Sequence, residues 1–143
     1  MKNIKKLKLL NFYYNSQISY ENIKNINMNH IILSERSNIT INKLQKKIYM
    51  YCNTKIRDES LRKLNLISLK LHDNNIISNQ GLKFSKNPKI LDLCCDNTII
   101  NEGLVNMKKL EYLNLEVDII LKNNITDNGL RNLTKLKYLN LKK

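Results

Sequence analysis

Apolar residues in this chain recur in short triplets with a solvent-compatible residue between them. They are Leu10-Asn11-Phe12, Ile31-Ile32-Leu33, Ile48-Tyr49-Met50, Leu69-Lys70-Leu71, Leu91-Asp92-Leu93, Leu113-Asn114-Leu115 and Leu139-Asn140-Leu141. Such alternation suits a strand with one buried face, and the apolar residues at every third position that follow suit a short amphipathic helix. A second mark keeps the same frame: Ile18, Ile39, Ile56, Ile77, Ile99 and Ile125, at steps of 21, 17, 21, 22 and 26 residues. Five residues after each stands Ile23, Leu44, Leu61, Leu82, Leu104 or Leu130. One unit is therefore predicted to be one strand, one turn and one short helix.

The three glycines of the chain, Gly81, Gly103 and Gly129, each follow a frame isoleucine at the same distance. Glycine inside a helix costs about 1 kcal/mol relative to alanine. Its reuse at one slot predicts a helix that must approach the neighbouring unit closely. The residue after the frame isoleucine is Ser19, Thr40, Ser78 and Thr126 in four units, the residue types that accept a bond from the first turn, so helices should begin there.

These repeats resemble the leucine-rich repeat family. The two last units carry the pattern most fully, as Leu104-x-x-Met107-x-x-Leu110-x-x-Leu113-x-Leu115 and Leu130-x-x-Leu133-x-x-Leu136-x-x-Leu139-x-Leu141. The phrase from Ile125 to Leu130 looks like the variety whose repeats continue into a short helix. The resemblance implies an α/β solenoid: a curved parallel sheet on the concave side and short helices on the convex side. It covers residues 1–143 as a single domain of six to seven units. Between residues 23 and 61 the frame is irregular, and a second register with Ile26 and Met28 in the strand stays open. The family places an asparagine after each strand, where its amide serves both donors and acceptors of the turn. Here that slot holds Asn15, Asn53, Asn74, Asp96 and Asp118, with Arg36 as the exception, which implies a partial asparagine ladder.

A chain of 143 residues fits one such array. Pro88 falls just ahead of a strand, where a missing N–H does least harm. Lysines interrupt the apolar run in the first ten residues before it reaches signal-peptide length, and no stretch approaches the about 18 apolar residues of a membrane span. Cys52, Cys94 and Cys95 are odd in number and lack Cys-x-x-Cys spacing. A reduced intracellular compartment, the cytoplasm, is therefore expected, with no metal and no cofactor.

The net charge of +13 points toward polyanions. Its lysines are scattered, in groups at Lys5, Lys6 and Lys8, at Lys43, Lys46 and Lys47, at Lys108 and Lys109, and at Lys142 and Lys143, and arginine is limited to Arg36, Arg57, Arg62 and Arg131. Sequence-specific readers of nucleic acid favour the arginine fork. A basic surface that binds nucleic acid or another polyanion is thus the second reading.

The first reading rests on the side chains between and beside the buried leucines, which in this family project from the concave face. They include Tyr13, Tyr49, Tyr51, Lys70, His72, Asp92, Tyr112, Asn114, Glu116, Tyr138 and Asn140. Five of the seven tyrosines fall there. Tyrosine joins a large ring to a polar tip and is enriched at binding hot spots. A non-catalytic scaffold that binds a protein partner through this face is expected. Neither His30 nor His72 carries the local signature of a catalytic triad, and Asp92 and Glu116, on one face of adjacent strands, would be solvated carboxylates that gain little tuning. Members of the family include recognition arms joined to an F-box, and no segment reads as one. The segment Tyr138 to Lys142 is predicted to be an open edge suited to self-association.

Overall fold

The computed structural model describes residues 7–15, 17, 30–35, 46–52, 55–62, 64–86, 88–95, 98–118, 120 and 122–142. They form an α/β arrangement built on one seven-stranded sheet, ordered β1 to β7 along the chain and parallel throughout. The strands are β1 Leu9–Asn11, β2 His30–Ser34, β3 Lys47–Tyr51, β4 Ser68–His72, β5 Ile90–Asp92, β6 Tyr112–Asn114 and β7 Tyr138–Asn140. Four short helices follow strands β3 to β6: α1 Asp58–Leu61, α2 Asn79–Phe84, α3 Asn101–Leu104 and α4 Asp127–Leu130.

Register makes the repeat exact across the sheet. Ile48 pairs with Leu69, Leu69 with Leu91, Leu91 with Leu113 and Leu113 with Leu139. The strands thus send their frame leucines and isoleucines to one face, where Leu69, Leu71, Leu91 and Leu113 are buried in a single core with Leu61, Leu82 and Leu104 of the helices. Helices of four to six residues cannot persist alone in water, so this burial and the contact of each helix with the next hold them. In the irregular region the register that uses Ile31 and Leu33 is the one that pairs with both neighbours. Ile26 and Met28 lie outside the described residues, as do Ser19, Thr40, Asn53 and Asp96.

After four of the strands the chain reverses through a residue in the left-handed region: Tyr14, Cys52, Asp73 and Cys95, with φ of 58, 47, 48 and 58°. Each costs about 1–2 kcal/mol relative to right-handed backbone. The backbone ladder offsets this by continuing through the turn, with Cys52 N donating to His72 O and Cys95 N to Glu116 O, both at 2.9 Å.

The glycine slot answers to a specific neighbour. A Cβ on Gly103 would stand 2.6 Å from Asn79 Oδ1, one on Gly129 would stand 2.5 Å from Asn101 Oδ1, and one on Gly81 would strike Asp58 Oδ1. Those oxygens are already committed to the next helix start. Asp58 Oδ1 accepts from Ser78 N at 2.9 Å, Asn79 Oδ1 from Ile100 N at 3.0 Å and Asn101 Oδ1 from Thr126 N at 2.9 Å. The helices are therefore joined by a second ladder of side-chain oxygens, and glycine leaves room for it.

Two expectations need correction. Ser78 caps α2, accepting from Gln80 N, but Thr126 at the start of α4 makes no such bond because its hydroxyl accepts from Asn101 Nδ2. The asparagine role after β6 belongs to Asn123, not to Asp118. Asn123 Nδ2 donates to Leu115 O at 3.1 Å and its Oδ1 accepts from Ile125 N at 2.8 Å, whereas Asp118 is exposed. The cause is the longer step of this unit, which moves the turn-filling side chain further along the chain. Asn74 keeps the expected role: fully buried, it accepts from Ile76 N and Ile77 N.

Candidate functional site

The face opposite the core is a grid whose rows run across the strands. The paired central row is Asn11, Ile32, Tyr49, Lys70, Asp92, Asn114 and Asn140. Two residues earlier on the same face come Leu9, His30, Lys47, Ser68, Ile90, Tyr112 and Tyr138. Ser34, Tyr51 and His72 form a row beyond the centre, with Tyr13, Cys94, Glu116 and Lys142 at the corresponding turn positions. The eleven residues expected on the face fall in these rows and at these turn positions, brought together from six units by the parallel pairing.

Its two halves differ in chemistry. Toward β1 the rings meet each other: Tyr13 lies edge-on to Tyr51 at 5.7 Å, Tyr51 is 5.3 Å from His72, and His30 is 4.5 Å from Tyr49. Tyr13 keeps 48% of its surface in solvent. A cleft of about 210 Å³ opens among Tyr13, Tyr14, Ser34, Glu35, Tyr51 and Cys52. Lys70 closes this half, its ammonium 4.8 Å above the Tyr49 ring and 3.6 Å from Asp92.

Toward β7 the polar groups are wired to one another. Asn114 Nδ2 donates to Asp92 Oδ1 at 2.8 Å, Asn140 Nδ2 donates to Glu116 Oε2 at 3.1 Å, and Lys142 lies 3.6 Å from Glu116. Asp92 and Glu116 each take their own donors and form no carboxylate pair. Beside them Tyr112 and Tyr138 stack at 4.6 Å with their planes 2° apart. Burial, then the nearby Asp92, raises the Tyr112 hydroxyl above its ordinary range. That ring therefore presents a neutral O–H donor.

Burial pushes the Cys94 thiol up to about 12, helped by contact with Cys95 and by the two nearby carboxylates, so its nucleophilic thiolate is scarce at neutral pH. His72 Nε2 is 3.4 Å from Asp73, and both side chains are more than two-fifths exposed. Among the described residues no group of three or more His, Cys, Asp or Glu side chains could hold a metal ion, and no helix is long and apolar enough to cross a membrane.

Two features escape the sequence reading. The helix-side ladder has a signal, since Asn79, Asn101 and Asp127 stand two residues before the three glycines. The ring contacts have none, because they join residues about 20 or more apart whose side chains meet only through register. No protein-family model, curated protein or solved structure matches this chain.

Proposed function

We propose that the chain is a leucine-rich repeat solenoid that acts as a non-catalytic scaffold, binding a protein partner through the concave face of its sheet. The observation that carries this reading is the grid itself: five tyrosines, Tyr13, Tyr49, Tyr51, Tyr112 and Tyr138, stand on one face in ring-to-ring contact, with Tyr13 and Tyr138 about half exposed. Mutual packing restrains these rings before a partner arrives, which lowers the ordering cost of binding. The wired polar half supplies orientation, because its unused donors and acceptors are held in fixed positions. Three free cysteines support a reducing, intracellular setting.

Affinity capture from cell extract tests the reading, comparing the wild-type chain with one carrying Tyr49→Ser, Tyr51→Ser, Tyr112→Ser and Tyr138→Ser. Discrete partners that survive moderate salt and are lost in the variant support it. Binding that ignores the tyrosines and vanishes with moderate salt would instead favour a polyanion surface.

A further inference from the structure

A cavity of about 490 Å³ opens at the start of strands β1 to β4, lined by Lys8, Leu9, His30, Lys46, Lys47 and Ile67. Its size lies within the range of small-ligand sites, about 300–1,000 Å³. Three ammonium groups surround it and none of its lining residues is acidic. The equivalent edge at the other end of the sheet is neutralised. There Glu111 bridges Lys89 at 3.0 Å and Lys137 at 2.8 Å, both residues being at the same position before their strands as Lys46.

The His30 ring in the cavity wall carries an unsatisfied nitrogen. His30 Nε2 is buried without a hydrogen-bond partner, a costly condition for a polar atom. Cations act on this ring from Lys47 at β3 and Lys70 on β4, Lys8 and Lys46 line the same cavity, and Tyr49 lies against the ring. Burial, then Lys47 and Lys70, hold the imidazole below its ordinary pKa, so it is neutral at pH 7. An anion in the cavity would oppose those lysines and so favour the protonated ring. Leu9 and Ile67, each about two-fifths exposed, add an apolar lip.

We propose that this cavity binds a small organic phosphate, with Lys8, Lys46 and Lys47 around the phosphate oxygens, the His30 ring in the wall behind them and Leu9 and Ile67 beside the apolar portion. The proposal does not rest on the partner-binding reading, although Leu9, His30 and Lys47 stand on the same face of the sheet. Phosphate is favoured over a single carboxylate because three lysines line the cavity, more positive charge than one carboxylate can balance.

Proton NMR of the two histidines with phenyl phosphate as the probe tests this, with His72→Gln to assign the signals. The expected result is a saturable shift of the His30 ring protons, a raised His30 midpoint and an unmoved His72. Lys46→Ala with Lys47→Ala should weaken binding about tenfold or more while the melting temperature stays near wild type, since both side chains are exposed. Phenol and matched sodium chloride should leave His30 unchanged. No saturable His30 shift, a shift reproduced by chloride, or undiminished binding in the folded double variant would each overturn the proposal.

Discussion

Asn79 and Gly103 share one small space: the Asn79 carboxamide oxygen sits 2.6 Å from where a Gly103 side chain would begin, and that oxygen holds the first N–H of the next helix through Ile100. A helix residue of one unit thus fixes the start of the helix in the following unit. The glycine is required by what its neighbour does, since every described glycine has ordinary negative φ.

Gly103→Ala should therefore destabilise the protein. Alanine gains about 1 kcal/mol of helix propensity, but overpacking and the displaced Asn79 bond cost more, for a net loss of about 1–2 kcal/mol. Chemical denaturation checks this. Adding Asn79→Ala should recover part of the loss, because it empties the contested space. A stabilised Gly103→Ala protein would refute the close-approach account.

Asn123 and Asp118 separate the observed turn from the one expected. Asn123→Ala leaves Leu115 O and Ile125 N without their partner and should cost about 1–3 kcal/mol. Asp118→Ala, on an exposed side chain, should change stability by no more than about 0.5 kcal/mol. Equal effects in denaturation curves would remove the distinction.

The strands were legible because Leu69, Leu91, Leu113 and Leu139 sit in a period-two pattern that no helix satisfies, and each falls in register with the next. The glycine slot was legible as a constraint, though its cause, an oxygen from the preceding unit, required coordinates. Side-chain rewiring was not legible: Asn123 supplants Asp118 because extra residues change which side chain reaches the turn. The basic cavity was hidden for a similar reason. Lys8, His30, Lys46 and Ile67 belong to four different units and form one lining only after the strands align.

Cys94 should resist alkylation at neutral pH. With its thiol at about 12 against an ordinary 9.0, the alkylation rate should keep rising beyond pH 10 with no plateau near 9. The folded state binds this proton more tightly than the unfolded chain, so the linked stability is full below pH 9 and declines as pH rises toward 12. Iodoacetamide kinetics followed by peptide mass mapping measures it. A midpoint near 9 would contradict the buried setting.

Glu111 should titrate at about 2, well below its ordinary 4.5, because Lys137 and then Lys89 donate to its carboxylate. Its contribution is present above pH 4.5 and is lost as pH falls toward 2. Carbon-detected NMR titration should show Lys137→Ala raising that midpoint, and added salt should do the same, since the pair is solvent-facing.

The face proposed to bind a partner exists only if the seven strands lie side by side in the stated register. Backbone NOEs in isotopically labelled protein measure that directly. The expected pattern is parallel cross-strand contacts linking Leu69 to Leu91, Leu91 to Leu113 and Leu113 to Leu139, with Tyr49, Lys70, Asp92, Asn114 and Asn140 consecutive in the next row. Antiparallel contacts, or a one-residue slip that sends Tyr49 and Lys70 into the core, would contradict it.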